Sequence, residues 1–213
     1  MGFRDRKDAG ERLAQALAPY RARQPVVLAL PRGGVLVAAE VARILHAPLD
    51  VVLVRKIGVP WQPELAMGAV VDGADPHVVR NEDVIDLAGV SEREFAAICS
   101  REVSEIERRR RKYLGNRARA EVAGRVAIVI DDGIATGATI RAALQAVRPR
   151  GPKRLVLAVP VAPTSTLLEL REEATRSCAW STTRNSVRSG FAIETSAKWT
   201  TTRLPTFLTA CPQ

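Results

Sequence analysis

The sequence predicts an α/β fold, in which an open, mostly parallel sheet is flanked by helices and carries a small hood and an irregular C-terminal tail. Short, almost wholly apolar runs alternate with segments of helical periodicity. Strands of this kind are buried on both faces, which is typical of a parallel sheet covered by helices. Glycine-rich turns follow two of the runs, at the edge of an open α/β sheet where ligands bind.

Four apolar runs are the expected core strands, and most are separated by helical patterns. The strands are expected at 26–30, 51–54, 126–130 and 155–159, and the helices at 5–18, 35–45, 137–147 and 164–173. A longer helix begins at Ser91, where Ser91 and Glu94 have the spacing of a capping box. Residues 66–71 and 77–80 are expected to pair as a small antiparallel hairpin.

The bulk composition indicates one globular domain with a small appendage. The chain has 213 residues and 46% apolar content, enough for a substantial core. No apolar run approaches the roughly 18 residues that cross a bilayer, and the charged N-terminus has no apolar signal core. The three cysteines have no paired spacing. We therefore expect a cytoplasmic protein without a membrane partner.

The most informative motif follows the strand at 126–130. That strand ends in Asp131 and Asp132, and a glycine-containing loop then leads into a helix. Free N–H groups at a helix N-terminus bind phosphate, and two carboxylates can accept hydrogen bonds from neighbouring sugar hydroxyls. Phosphate and diol together describe a ribose 5-phosphate.

Residues 128–139 resemble the motif of the type I phosphoribosyltransferase family, in which an apolar strand, two acids and a short loop precede Thr-Gly-(Gly/Ala)-(Thr/Ser). The resemblance implies that the chain binds 5-phosphoribosyl-1-pyrophosphate (PRPP), with Asp131 and Asp132 at the ribose hydroxyls. The residues of this loop implied to bind PRPP are Gly133, Ala135, Thr136, Gly137, Ala138 and Thr139, and the backbone N–H groups of 136–139 would hold the 5-phosphate. A second loop after the first strand, containing Arg32, Gly33 and Gly34, would contact pyrophosphate.

Arg55 and Lys56 are the other cations expected at the pyrophosphate. They are expected to end the second strand and to point into the same crevice, where an arginine offers two-point binding of an anion. Residues 58–68 stand where the family has a mobile loop over PRPP. Glu64 is the one ionisable side chain within that loop, and we interpret it as exposed.

The reaction implied by the resemblance moves ribose 5-phosphate from PRPP to a nitrogenous base and releases pyrophosphate. Mg²⁺ would be held mainly by PRPP, near Asp131 and Asp132, with no direct protein metal site. The partners implied are PRPP and a nucleobase-like acceptor. The acceptor and the oligomeric state are not encoded in any motif, and a homodimer is one option.

Two other functions are compatible with the sequence. A PRPP-binding regulator would use the same fold without catalysis. A nucleic-acid-binding domain would explain the net charge of +9 and the basic stretch 108–112. We favour a solvated helix face for that stretch, because Glu105/Arg109 and Glu107/Arg111 have i,i+4 spacing. No nucleic-acid partner is therefore expected.

The composition changes abruptly near residue 174. Residues 174–213 contain nine Thr, five Ser, five basic residues and one acid, and neither strand alternation nor a helical stripe is visible. We interpret 1–173 as the phosphoribosyltransferase-like domain, with 58–80 as part of the hood, and 174–213 as an irregular tail. Back-translation in the neighbouring frame gives a strand and an acidic helix, so we hypothesise that the tail is frameshifted. An inactive frameshift product is therefore a further alternative to the transferase.

Overall fold

The computed structural model describes residues 3–73, 75–170 and 173–174, together with the backbone of 176–183. Two compact units divide the chain. One consists of Met1–Val51 and Ala120–Gln213, and the other of Val52–Arg119. We call them the sheet unit and the inserted unit.

The sheet unit is built on five parallel strands in the order β2-β1-β6-β7-β8. The strands are β1 (Val26–Ala29), β2 (Leu49–Val51), β6 (Val126–Ile130), β7 (Arg154–Pro163) and β8 (Arg176–Thr183). Every residue of β1 and β6 is buried, as their uniform Val, Ile, Leu and Ala content requires. The predicted parallel α/β fold is confirmed.

Amphipathic helices cover this sheet. They are α1 (Arg6–Ala16), α2 (Gly33–Leu45), α5 (Ala138–Val147) and the short α6 (Thr164–Glu169), and 3₁₀ turns lie at Ala18–Arg23 and Arg148–Arg150. In α2 the buried side chains Val37, Val41 and Leu45 recur at helical spacing. Asp5 caps α1 by accepting a hydrogen bond from the Asp8 N–H at 2.8 Å, which satisfies a backbone donor of the first turn.

The inserted unit contains an antiparallel sheet in the order β3-β4-β5. Its strands are β3 (Val54–Val59), β4 (Gln62–Val71) and β5 (His77–Arg80), followed by α3 (Glu82–Ala88) and α4 (Glu92–Leu114). The predicted hairpin between 66–71 and 77–80 is confirmed as the β4–β5 pair. The predicted capping box is also present, because Ser91 and Glu94 exchange hydrogen bonds at the start of α4.

Three local predictions are wrong. The second strand ends at Val51, and β3 starts separately at Val54. The segment 58–68, predicted as a loop, forms most of the β3–β4 hairpin, because a bulge near Gly58 accommodates its turn residues. Arg176–Thr183, predicted as irregular tail, form β8, because their backbone completes the hydrogen bonding of the β7 edge. The frameshift hypothesis and the domain boundary at 173/174 stay predictions, and 184–213 lie outside the described residues.

The chain leaves and re-enters the sheet unit at neighbouring points. The Oδ2 atom of buried Asp50, next to the end of β2, accepts a hydrogen bond from the Ala120 N–H at 2.8 Å. Oδ1 of the same carboxylate accepts from the Val51 N–H at 2.8 Å. One side chain therefore joins the two points at which the inserted unit is connected.

Candidate functional site

The candidate site lies at the carboxyl ends of β1 and β6, which are adjacent in the sheet. From β1 the chain crosses over through α2 to β2, and from β6 through α5 to β7 on the opposite side. Because both crossovers are expected to be right-handed, α2 and α5 cover opposite faces and leave a crevice between β1 and β6. This is the topological switch point at which open α/β sheets bind ligands.

The structure brings the two predicted loops into direct contact at this point. A Cβ atom built on Gly34 would lie 2.8 Å from the Asp131 Cα and from the Ile130 carbonyl oxygen. One built on Gly33 would lie 1.9 Å from Oδ2 of Asp132. Because real Cβ atoms do not make such contacts, only glycine admits the aspartates here. Arg32, which precedes the two glycines, is exposed.

The loop from Gly133 to Gly137 is held by contacts with β7 and α6. The Ile134 N–H donates to the Val161 carbonyl at 3.0 Å, and the hydroxyl of buried Thr166 approaches the Ala135 carbonyl oxygen at 3.4 Å. Gly137 has a φ of 78°, and a Cβ there would lie 2.7 Å from the Thr166 methyl group. The backbone of this loop is thus fixed against β7 and α6.

The start of α5 offers backbone donors. No side chain caps this helix, so the first-turn N–H groups have no intrahelical acceptor. The predicted phosphate-contacting residues Ala135, Thr136, Ala138 and Thr139 are all exposed. Small side chains and free N–H groups at a helix N-terminus form an arrangement suited to an anion.

The two aspartates have different surroundings. The Asp132 N–H donates to Oδ1 of Asp131 at 2.8 Å. Burial, helped by the neighbouring charge of Asp132, raises the pKa of Asp131 to about 7. The Asp131 carboxyl therefore changes its protonation state near neutral pH.

Arg6 is a site residue that the sequence analysis missed. Its Nε and Nη2 atoms donate to Oδ2 of Asp132 at 3.0 and 2.9 Å. The two residues are 126 positions apart and belong to no common motif, so no local pattern signals their pairing. Only the packing of α1 in the sheet unit brings them together.

Arg55 and Lys56 lie on β3 of the inserted unit, where both are ion-paired. Arg55 Nε contacts Glu102 on α4 at 2.6 Å, and Lys56 Nζ contacts Glu64 on β4 at 3.1 Å. The prediction that they end a strand and point the same way is wrong, because neighbouring residues within a strand point to opposite faces. Their predicted role at pyrophosphate stays a prediction. Glu64 is 96% exposed, as expected.

The described residues do not form a protein cage for a metal ion. Among the parts of the chain that the structure describes, no three His, Cys, Asp or Glu side chains are grouped as metal ligands. Mg²⁺ prefers several oxygen ligands in octahedral geometry. Two adjacent aspartates, one of them paired with Arg6, do not by themselves supply such a set.

The basic stretch of α4 is largely neutralised by acids. Glu105 contacts both Arg108 and Arg109 at 2.7 Å, and Arg111 lies 4.0 Å from Glu107. Both predicted i,i+4 pairs are present. Within the described residues, no helix combines the length and the apolarity that crossing a bilayer requires.

A parallel α/β sheet with glycine and aspartate loops at its switch point defines the phosphoribosyltransferase type of fold, and comparison with known proteins agrees. A family model described as the phosphoribosyl transferase domain matches residues 4–187. TT1426 from Thermus thermophilus, a solved crystal structure, is 42% identical, with a TM-score of 0.73 over 87% of each chain. This chain belongs to the phosphoribosyl transferase domain family.

Two Mycobacterium tuberculosis proteins are also similar. MT0597 of strain CDC 1551 / Oshkosh and Rv0571c of strain ATCC 25618 / H37Rv are both named putative phosphoribosyl transferases. Each is 49% identical to this chain over 161 residues, which is 76% of this chain and 36% of the relative. The chain thus spans about a third of the length of these curated relatives.

Proposed function

We propose that the chain binds PRPP at the switch point of the sheet unit and transfers its ribose 5-phosphate to a nitrogenous base. In this reaction the bond between C1 of the ribose and the pyrophosphate oxygen breaks, and a bond between C1 and a nitrogen of the base forms. Pyrophosphate leaves with the bonding electron pair, and the base nitrogen loses its proton. The observation that carries the proposal is the contact of Gly33 and Gly34 with the two aspartates.

Each end of the site suits a different part of PRPP. The unpaired N–H groups at the start of α5, with Thr136 and Thr139, would hold the 5-phosphate. Asp131 and Asp132 would accept hydrogen bonds from the ribose hydroxyls and favour the positive charge that develops on the ring. The loop with Arg32, Gly33 and Gly34 would hold pyrophosphate through its backbone and a cationic side chain.

For Arg55 and Lys56, a role at pyrophosphate requires each to release its present carboxylate partner. The Lys56–Glu64 pair is exposed, and such pairs contribute about 0–1 kcal/mol. Breaking the contact with Glu64 so that Lys56 can bind a pyrophosphate oxygen would therefore cost little free energy. Arg55 and Glu102 are 31% and 21% exposed, so their pair is harder to open.

Mg²⁺ would enter as part of the substrate complex. When bound to PRPP it would offset the negative charge of the departing pyrophosphate. The protein contributes the dyad nearby and the backbone donors, but its described residues form no closed set of metal ligands. The expected requirement for Mg²⁺ is therefore one of substrate binding, which calorimetry with and without the ion measures.

The deciding experiment measures pyrophosphate release from Mg²⁺·PRPP with a panel of purine and pyrimidine bases. We expect release with at least one base, and its loss in the Asp131→Asn/Asp132→Asn variant. PRPP binding without release for any base would favour a non-catalytic regulator. A folded chain that does not bind PRPP would refute the proposal.

We also propose a cytoplasmic location and a place in nucleotide metabolism, since the proposed substrates are soluble phosphorylated metabolites. No nucleic-acid partner is proposed, because acids already pair with much of the 108–112 stretch. Cell fractionation tests the location, and a salt titration with duplex DNA tests the absence of nucleic-acid binding. A homodimer is tested by light scattering.

A further inference from the structure

The contact between Arg6 and Asp132 lies at the candidate site and outside the core. Arg6 is in the first turn of α1, and its side chain is 34% exposed, while that of Asp132 is 24% exposed. Two N–H groups of one guanidinium meet one carboxylate oxygen at 3.0 and 2.9 Å. Such charge-assisted hydrogen bonds are stronger and more directional than neutral ones.

The position of Arg6 is fixed by packing of α1 on α2, the helix that begins in the loop with Arg32, Gly33 and Gly34. Gly10 of α1 packs so closely on α2 that a Cβ there would lie 2.8 Å from both the Val37 carbonyl oxygen and the Glu40 Cβ. Asp5 caps α1 immediately before Arg6. The backbone that carries the guanidinium is therefore held against one of the two elements that form the site.

The geometry leaves hydrogen-bonding capacity on both partners. Arg6 uses Nε and Nη2, and both contact Oδ2 of Asp132. Among the described residues, neither Nη1 of Arg6 nor Oδ1 of Asp132 has a hydrogen-bond partner within the site. The carboxylate is thus oriented through one oxygen, while the other remains able to accept a bond from a hydroxyl.

The Arg6–Asp132 contact reduces the negative charge next to the proposed anion site. Asp131 and Asp132 are adjacent in the sequence, and two carboxylates beside a polyphosphate ligand would repel it. Arg6 brings a permanent positive charge within 2.9 Å of the second carboxylate. A lysine would keep that charge, but it lacks the planar fork that places two N–H groups on one side.

We propose that Arg6 is a positioning residue for substrate binding, which orients Asp132 through Oδ2 and offsets the charge of that carboxylate. The proposal rests on the proposed function, because it assigns Asp132 to a ribose hydroxyl of PRPP. Arg6 acts through Asp132. Its removal therefore has no further effect once the Asp132 carboxylate is gone.

The test is isothermal titration calorimetry of Mg²⁺·PRPP with the full chain in a double-mutant cycle. The variants are Arg6→Gln, Arg6→Lys, Asp132→Asn and Arg6→Gln/Asp132→Asn. We expect Arg6→Gln to raise the dissociation constant about tenfold, as for loss of a charged hydrogen bond, and Arg6→Lys to restore part of it. In the Asp132→Asn background, Arg6→Gln should raise the dissociation constant by a further factor of less than about two.

The matched control is Lys7→Gln, which removes the same charge one residue away. Lys7 is exposed, and its removal should leave PRPP affinity within about twofold of the original. Arg6→Lys also keeps the test valid if Arg6→Gln lowers stability, since it retains the charge.

Several outcomes would overturn the inference. Equal affinity in Arg6→Gln and Lys7→Gln would mean that Arg6 contributes only net charge. Additive effects in the cycle would show that Arg6 acts independently of Asp132, and tighter binding by Arg6→Gln would make the contact an obstruction. If the original chain binds no PRPP, the proposed function itself fails, and this result is distinct from binding that is indifferent to Arg6.

Discussion

Arg110 and Asp72 form a buried ion pair inside the inserted unit. Nη1 of Arg110 lies 2.8 Å from Oδ2 of Asp72, and the two side chains are 10% and 4% exposed. Oδ1 of Asp72 accepts the Leu53 N–H at 2.7 Å. One carboxylate thereby joins α4 to the residue before β3. Burial raises the pKa of Asp72, while the Leu53 N–H and the arginines oppose the rise.

We expect Asp72→Asn to destabilise the inserted unit by about 3 kcal/mol, the usual cost of removing the charge of one member of a buried ion pair. The amide can still accept the Leu53 N–H, so the loss reports the charge of Asp72 beside Arg110 and Arg119. Chemical unfolding followed by circular dichroism measures it. Arg111→Met, which removes an exposed neighbour, is the control and should cost about 0.5 kcal/mol or less. Similar losses in both variants would contradict the expectation.

We expect Gly33→Ala to weaken PRPP binding strongly with little loss of fold. The added Cβ would stand 1.9 Å from the Asp132 carboxylate, so the side chain would have to leave its place beside Arg6. Calorimetry should show a dissociation constant raised at least about 30-fold, equivalent to about 2 kcal/mol. Leu36→Ala, on the same helix and 60% exposed, serves as the control. Unchanged affinity in Gly33→Ala would refute the close contact.

Asp131 should make stability depend on pH. Its pKa is about 7 in the folded chain and near 3.8 when unfolded, so the folded state binds the extra proton between these values. Stability from this group is therefore present below about pH 4 and is lost as pH rises through 7. We expect Asp131→Asn to flatten the fall between about pH 4 and 7, by at most about 4 kcal/mol.

Chemical unfolding at four pH values measures this dependence, with Glu107→Gln as a control that removes an exposed carboxylate. The Asn side chain can still accept the Asp132 N–H. A pH profile that is the same in Asp131→Asn and in the original chain would mean that Asp131 is ionised well below neutrality.

Glu64 should compete with pyrophosphate for Lys56. The pair is 3.1 Å apart and exposed, so Glu64→Gln should strengthen pyrophosphate binding about twofold, and Lys56→Gln should weaken it by a similar factor. Calorimetric titration with pyrophosphate and Mg²⁺ provides the measurement. Glu107→Gln changes the net charge equally. If it strengthens binding as much as Glu64→Gln does, Lys56 has no specific role.

The switch-point loops could be predicted from sequence because their signals are local. Uniform apolar runs followed directly by Arg32-Gly33-Gly34 and by Asp131-Asp132 specify strand, turn and helix without reference to distant residues. The hairpin at 54–71 could not be predicted in this way. Gly58, Pro60 and Pro63 are typical of a loop. Pro60 does lie in the turn between the strands, but pairing across the bulge, where a Gly58 Cβ would lie 2.4 Å from the Pro63 oxygen, makes Gly58 and Pro63 strand residues.

Ion pairs between residues far apart in the sequence also could not be predicted from local patterns. Asp72 precedes a glycine and suggests a turn, and Arg110 belongs to a basic stretch that suggests solvent, yet the two are buried together. Strand β8 could not be predicted either, because it forms by backbone pairing with the edge of β7 and the side-chain pattern of 176–183 does not indicate a strand. The nucleotide sequence of the gene decides the frameshift hypothesis, since codons that forbid the alternative frame would exclude it.

The hydrogen bond between Asp50 and Ala120 also bears on how the protein can be altered. Because the segment 52–119 starts and finishes beside one carboxylate, it is an insertion whose two ends lie close together in the sheet unit. Its replacement by a short turn would keep the strand order β2-β1-β6 and both switch-point loops in one chain.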